Sequence, residues 1–117
     1  MSRSPGFVTK KPAADMVTKM LDDRLPFMRR SNFHLSSTDR TFFKIGVSEL
    51  VRGWREAHQR THDFSYLHDV KDLLASAQLF INAVDANKLN DEDGVLAVAA
   101  TMREIIERRL AENSTRP

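Results

Sequence analysis

The residues best equipped for chemistry are the chain's four histidines, and their neighbours decide what each can do. His58 and His62 lie four apart in a segment of helical period, so both can face one metal ion from the same side of a helix. A third ligand would have to come from Glu56, Asp63 or His68, and nothing in the spacing enforces it. A metalloprotease helix also needs a glutamate directly after its first histidine, whereas Gln59 follows His58. The pair is expected to be two surface histidines, with no metal and no cofactor. His68 is followed by Asp69. An exposed imidazole beside a carboxylate suits phosphate acceptance, because the ring must meet its donor and the acid can raise its basicity. The chain has no cysteine, which excludes disulfides, thiolate nucleophiles and cysteine-held metal sites. Its four glycines are too scattered for a phosphate loop, and no serine or threonine sits in a nucleophile elbow. These absences predict a protein that is not an enzyme.

Residues 68–110 resemble the dimerisation and phosphotransfer hairpin of sensor histidine kinases, through a His-Asp-x-basic opening (His68, Asp69, Lys71), an apolar seam and a polar turn. The resemblance implies His68 as the phospho-accepting residue. Asp72 and Leu73 stand where that family usually shows Asn or Thr and then Pro, and the remaining chain has no room for a nucleotide-binding domain.

Charge separates the two halves. Residues 1–60 carry a net +6 and residues 61–117 a net −4, within a total of +2. A basic front half makes nucleic acid a partner to consider, led by Arg29, Arg30, Arg40, Lys44, Arg52 and Arg55. Two DNA-binding designs can be tested on the residues. Lys44-Ile45-Gly46-Val47-Ser48 has the glycine turn of a helix-turn-helix, but Phe42, Arg52 and Arg55 fall where that motif needs small or apolar side chains. Arg29 to Leu35, alternating and ahead of a capped helix, opens like a ribbon-helix-helix strand, although neither Gly46 nor Gly53 supplies a suitable turn into a second helix.

The elements that must position these residues are helical. Residues 1–12 mix Pro, Gly, Ser and Lys without period and are expected to form a flexible basic arm. Ala13, Val17, Met20 or Leu21, and Leu25 predict a short first helix ended before Pro26. Asn32 to Ser36 alternates and suits a short extended segment. Ser36 or Ser37 then caps a second helix, with Asp39 in its first turn. Its stripe of Phe43, Val47, Leu50, Trp54 and Ala57 runs to about His62. Gly46 and Gly53, one heptad apart beside that stripe, point to close approach of another helix, or else to a break at Gly46.

The third helix has Ser65 as its candidate cap and repeats Leu67, Val70, Leu74, Ala77, Ile81 and Val84, with Tyr66, Leu73 and Phe80 widening the seam. Asn90 followed by Asp91, Glu92 and Asp93 starts a fourth helix. Its apolar face comprises Val95, Val98, Ala99, Met102, Ile105, Ile106 and Leu110, and Arg108 and Arg109 complement its negative end. A short link between helices of similar length makes these two antiparallel neighbours. Faces this broad need the second helix or a second chain to cover them.

The expectation is an all-α fold: a three- to four-helix bundle with a C-terminal antiparallel helical hairpin. A single helical domain spans residues 13–112, with a frayed tail over 113–117. No stretch has the length of a signal peptide's apolar core, and the longest apolar run, Val95 to Ala100, is too short to span a bilayer, so a cytoplasmic protein without membrane contact is expected. The function predicted is a non-enzymatic helical interaction or regulatory module whose partner is another protein. Phe7, Phe27, Met28 and a surplus of apolar residues on the first helix are the partner-facing material. Nucleic-acid binding, histidine phosphotransfer and a homodimer are the alternatives.

Overall fold

A computed structural model of the chain describes residues 8–24, 36–85 and 92–114, and every regular element among them is helical. Helix α1 (Lys11–Lys19) continues into a π-helical turn over Met20–Arg24. Helices α2 (Ser37–Thr61), α3 (Ser65–Asp85) and α4 (Glu92–Ser114) follow. The fold is all-α, as the apolar periodicity predicts.

Local chemistry accounts for the boundaries. Pro12 sits in the first turn of α1, where its missing N–H costs nothing and its fixed φ suits the helix. The Ser36 hydroxyl caps α2 by accepting the Asp39 N–H at 3.0 Å. At the other end His62 adopts φ 60°, the sole positive φ outside glycine among the described residues, and donates its N–H to the His58 carbonyl at 2.7 Å. This left-handed residue stops the helix and turns the chain. The Asp63 carboxylate then takes the Ser65 N–H at 2.9 Å, so Asp63 fills the capping role expected of Ser65.

Neighbouring helices run antiparallel. Phe43 and Phe80 pack with ring centroids 5.5 Å apart, and Arg40 near the start of α2 reaches Asp85 at the end of α3. Asp69 near the start of α3 meets Arg108 and Arg109 near the end of α4. Helix α1 lies along α2, and the π-helical turn that follows it reaches α4 through an ion pair between Asp22 and Arg103. One continuous core results, centred on Trp54, Phe43, Phe80, Leu73 and Met102. It includes α2, so the hairpin is completed within one chain.

Gly46 and Gly53 mark the crossing of α1 over α2, and α2 runs unbroken through both. A Cβ on Gly46 would lie 2.9 Å from the Ala13 carbonyl oxygen, and one on Gly53 would lie 2.5 Å from that of Val8. The unbroken helix removes the turn that a helix-turn-helix needs at Gly46.

Three expectations need correction. The basic arm was expected to extend through residue 12, but its last five residues belong to the fold. Val8 packs against the core, Thr9 is buried and accepts the Trp54 indole N–H at 2.8 Å, and Lys11 and Pro12 are helical. A buried indole N–H requires an acceptor, and Thr9 is that acceptor. Secondly, the seam of α3 is rotated from its expected line. Leu73 and Phe80 are fully buried while Leu74 is 41% exposed, because α2 and α4 straddle the Tyr66–Leu73–Phe80 line. The expected apolar surplus on the first helix is reduced to half-buried Met16 among the described residues, since Ala13, Ala14 and Val17 of α1 and Met20 and Leu21 of the turn after it are all buried.

Substituting Gly46→Ala should lower stability even though alanine favours a helix by about 1 kcal/mol. The new methyl would lie 2.9 Å from the Ala13 carbonyl oxygen, Met16 Cβ and Val17 Cγ2 at once, none of them the far end of a flexible side chain, so the crossing must move. We expect a net loss of about 1–3 kcal/mol in urea denaturation, against little change for Ser48→Ala on the exposed side of α2.

Candidate functional site

The three histidines among the described residues do not converge. His62 leaves the helix at its left-handed turn, so the four-residue spacing to His58 no longer places both on one face. His58 packs its ring on Phe64 at 4.8 Å, with Nε2 buried and without a hydrogen-bond partner among the described residues. Among the described residues no group of three or more His, Cys, Asp or Glu is gathered to hold a metal ion. His68 is exposed on α3, but Asp69, the next residue, faces away from it.

Asp69 is instead the centre of a buried charge network. Its carboxylate accepts from Arg109 Nε at 2.6 Å and from an Arg108 guanidinium nitrogen at 2.7 Å. Arg109 also donates to the Ser65 hydroxyl at 2.9 Å and to both Glu112 oxygens at 3.1 Å, and it lies over the Tyr66 ring. Burial disfavours the Arg109 charge, but hydrogen bonds to Asp69 and Glu112 outweigh it and raise its pKa above the ordinary value. The acid that would activate His68 is thus committed to two arginines. Sequence reasoning gave those arginines to the helix dipole and missed the network. The available signal was Asp69 itself, which falls between Tyr66 and Leu73 on the buried side of α3.

Of the basic residues expected at a nucleic-acid surface, Arg29 and Arg30 lie outside the described residues. Arg40 is held by Asp85 at 2.6 Å, and Arg52 by Glu49 at 2.6 Å. Lys44 and Arg55 are exposed on α2. Phe7, Phe27 and Met28, the expected partner-facing residues, also lie outside the described residues. So do the extended segment over 32–35 and the Asn90 cap.

The structure does bring together a surface that the sequence reading assigned to the core. Along the outer junction of α2 and α3 run two adjoining depressions of about 300 and 600 Å³, with Ser48 and Leu74 in both. Val47, Val51, Ala77 and Ile81 supply the apolar floor. Lys44 borders one depression, and Arg52 and Arg55 border the other, where Glu56 is the acid. Leu67, Leu74 and Ile81 are seven residues apart, hence on one line of α3, and none is fully buried. Their heptad spacing signals burial but does not say against what. A third concavity, of about 420 Å³ between α1 and α2, mixes Asp15 and Asp39 with Lys19 and has no single charge sign.

No family model matches this chain, and neither a curated protein nor a solved structure shows significant similarity to it. Among the described residues no helix is long and apolar enough to cross a membrane.

Two measurements follow from the charged residues. Replacing Asp69 with leucine should cost about 2–3 kcal/mol, because it leaves the buried Arg109 Nε without its acceptor and only the half-exposed Glu112 to answer the charge. Adding Arg109→Met should restore much of that loss, which a double-mutant cycle of denaturation free energies would register. Acid should also erode stability through exposed carboxylates. The Ser65 backbone N–H, helped by its hydroxyl, lowers the Asp63 pKa below 3.8, and the hydrogen bond from Arg40 does the same for Asp85. A depressed folded pKa adds stability above the unfolded value and loses it as pH falls through the folded one. Thermal midpoints should therefore drop below about pH 4, and the drop should be shallower in Asp85→Asn.

Proposed function

We propose that this protein is a non-enzymatic interaction module that binds a helical segment of another protein in the groove between α2 and α3. The observation that carries the reading is the pair Leu74 and Ile81, left partly open over buried Val47, Val51 and Ala77 where the two depressions adjoin. Other large apolar side chains on the surface, such as Phe64, Leu79 and Leu96, lie apart from this groove. Single exposed apolar residues are ordinary, whereas neighbouring ones lining a concavity mark a contact surface. A third helix laid along two antiparallel ones is a packing that helical proteins use throughout.

Nucleic acid is the weaker reading of the same face. Phosphates would engage Lys44 and Arg55 but leave the leucine floor against a charged, hydrated backbone. Two of the cations counted towards such a surface, Arg40 and Arg52, already hold acids. Phosphotransfer through His68 loses its supporting acid to Arg108 and Arg109.

A photo-crosslinking residue placed at Gln78, in the groove, and separately at Thr101, on the exposed side of α4, tests the location inside the native cell. The expected result is a discrete, nuclease-resistant protein adduct from position 78 and none from position 101. Equal adducts from both positions, or a nuclease-sensitive adduct from 78, would rule the groove out as the protein-binding face.

A further inference from the structure

We infer that the groove's occupant is an acidic amphipathic helix of about four turns; this rests on the α2–α3 groove being the binding face. The charge argument comes from the border. Lys44 stands on the α2 side of the depression that holds Ala77 and Ile81, and Arg52 and Arg55 stand on the α2 side of the other. Lys71, exposed on α3, lies four residues after Leu67 and three before Leu74, which makes it their neighbour on the helix surface. The pairing of Phe43 with Phe80 fixes how the helices align, so Lys44 lies near the Ile81 end and Arg55 near the Lys71 end. Cations therefore border the apolar line at both ends and on both helices. Glu49 answers Arg52 at 2.6 Å and Glu56 in the lining offsets one further cation, so the four cations less two acids leave a net surplus of two positive charges shared among Lys44, Arg55 and Lys71.

The groove sets the occupant's shape. On α2 the lining of the two depressions runs from Lys44 to Gln59, fifteen residues of helix or about 22 Å at 1.5 Å per residue. A partner helix of the same length matches it, with apolar residues at three- and four-residue steps facing the floor and carboxylates on both flanks. A flat charged surface would leave the floor unused. A basic helix would oppose the border cations, and like charges brought together in a partly dry groove are repulsive.

Three synthetic probes of the intact protein decide the matter by fluorescence anisotropy and by amide chemical-shift mapping. The first is a sixteen-residue helical peptide with leucines at heptad spacing and glutamates on both flanks. The second is the same peptide with lysines on the flanks, and the third is a random-sequence DNA duplex. The glutamate peptide should bind, shift amides around Leu74, and weaken as salt is raised. The double variant Lys44→Glu and Arg55→Glu should weaken it about tenfold or more and strengthen the lysine peptide. Leu74→Asp should abolish both.

Equal binding of the two peptides, both lost in Leu74→Asp, would overturn the charge inference and leave the groove standing. Absence of binding by either peptide, or binding indifferent to Leu74→Asp, would overturn both. Preferential binding of the duplex would give the face to nucleic acid. Melting curves of each variant confirm that these surface changes leave the bundle folded.

Discussion

A side chain on residue 46 would put its Cβ 2.9 Å from the backbone oxygen of Ala13 as well as from Met16 and Val17. The α1–α2 crossing exists because that carbon is missing there and again at Gly53, under Val8. Helix α1 is short, and only a close approach gives Ala13, Ala14 and Val17 enough contact to be fully covered. The crossing also delivers Thr9 to the Trp54 indole, which would otherwise be a buried donor without an acceptor. With one side of α2 committed to α1 and its centre to the core, the remaining flank meets α3. That flank, carrying Val47, Val51 and Lys44, becomes one wall of the groove. The location of the candidate site thus follows from two absent methyl groups on the opposite side of the same helix.

Much of this was legible in the sequence, for identifiable reasons. The Phe43–Val47–Leu50–Trp54–Ala57 stripe is buried throughout, since apolar spacing of three and four leaves a helix one inward face. Ser36 caps as expected because its hydroxyl serves a local N–H, a problem solved within four residues. Glycines one heptad apart signalled the helix crossing because each would otherwise cost α2 stability.

What stayed hidden is long-range. Leu67 and Leu74 have the same hydropathy as Leu73, and which of them is central depends on where α2 and α4 lie, a fact held in no single helix. Asp69 reads as a surface acid until Arg108 and Arg109, forty residues away in the chain, are brought to it. Thr9 reads as loop until Trp54 needs it. The candidate groove was accordingly visible only as an over-wide apolar face, with Lys44, Arg52 and Arg55 at its border grouped with the other cations of the front half.

The buried network around Asp69 has a consequence for how the hairpin settles. Apolar seams with heptad spacing tolerate sliding, since one layer of aliphatic side chains fits the next almost as well. A slip of α4 by seven residues towards its C-terminus relative to α3 would bring Met102 to the place of Arg109. A carboxylate would then sit in the seam against a thioether, at a cost of several kcal/mol. The charged centre therefore acts as an index mark on an otherwise repetitive interface, admitting one alignment of the two helices. On the other side of α3, Phe43 on Phe80 and Arg40 on Asp85 set the alignment with α2 separately, so each interface of this helix has its own charged or aromatic marker.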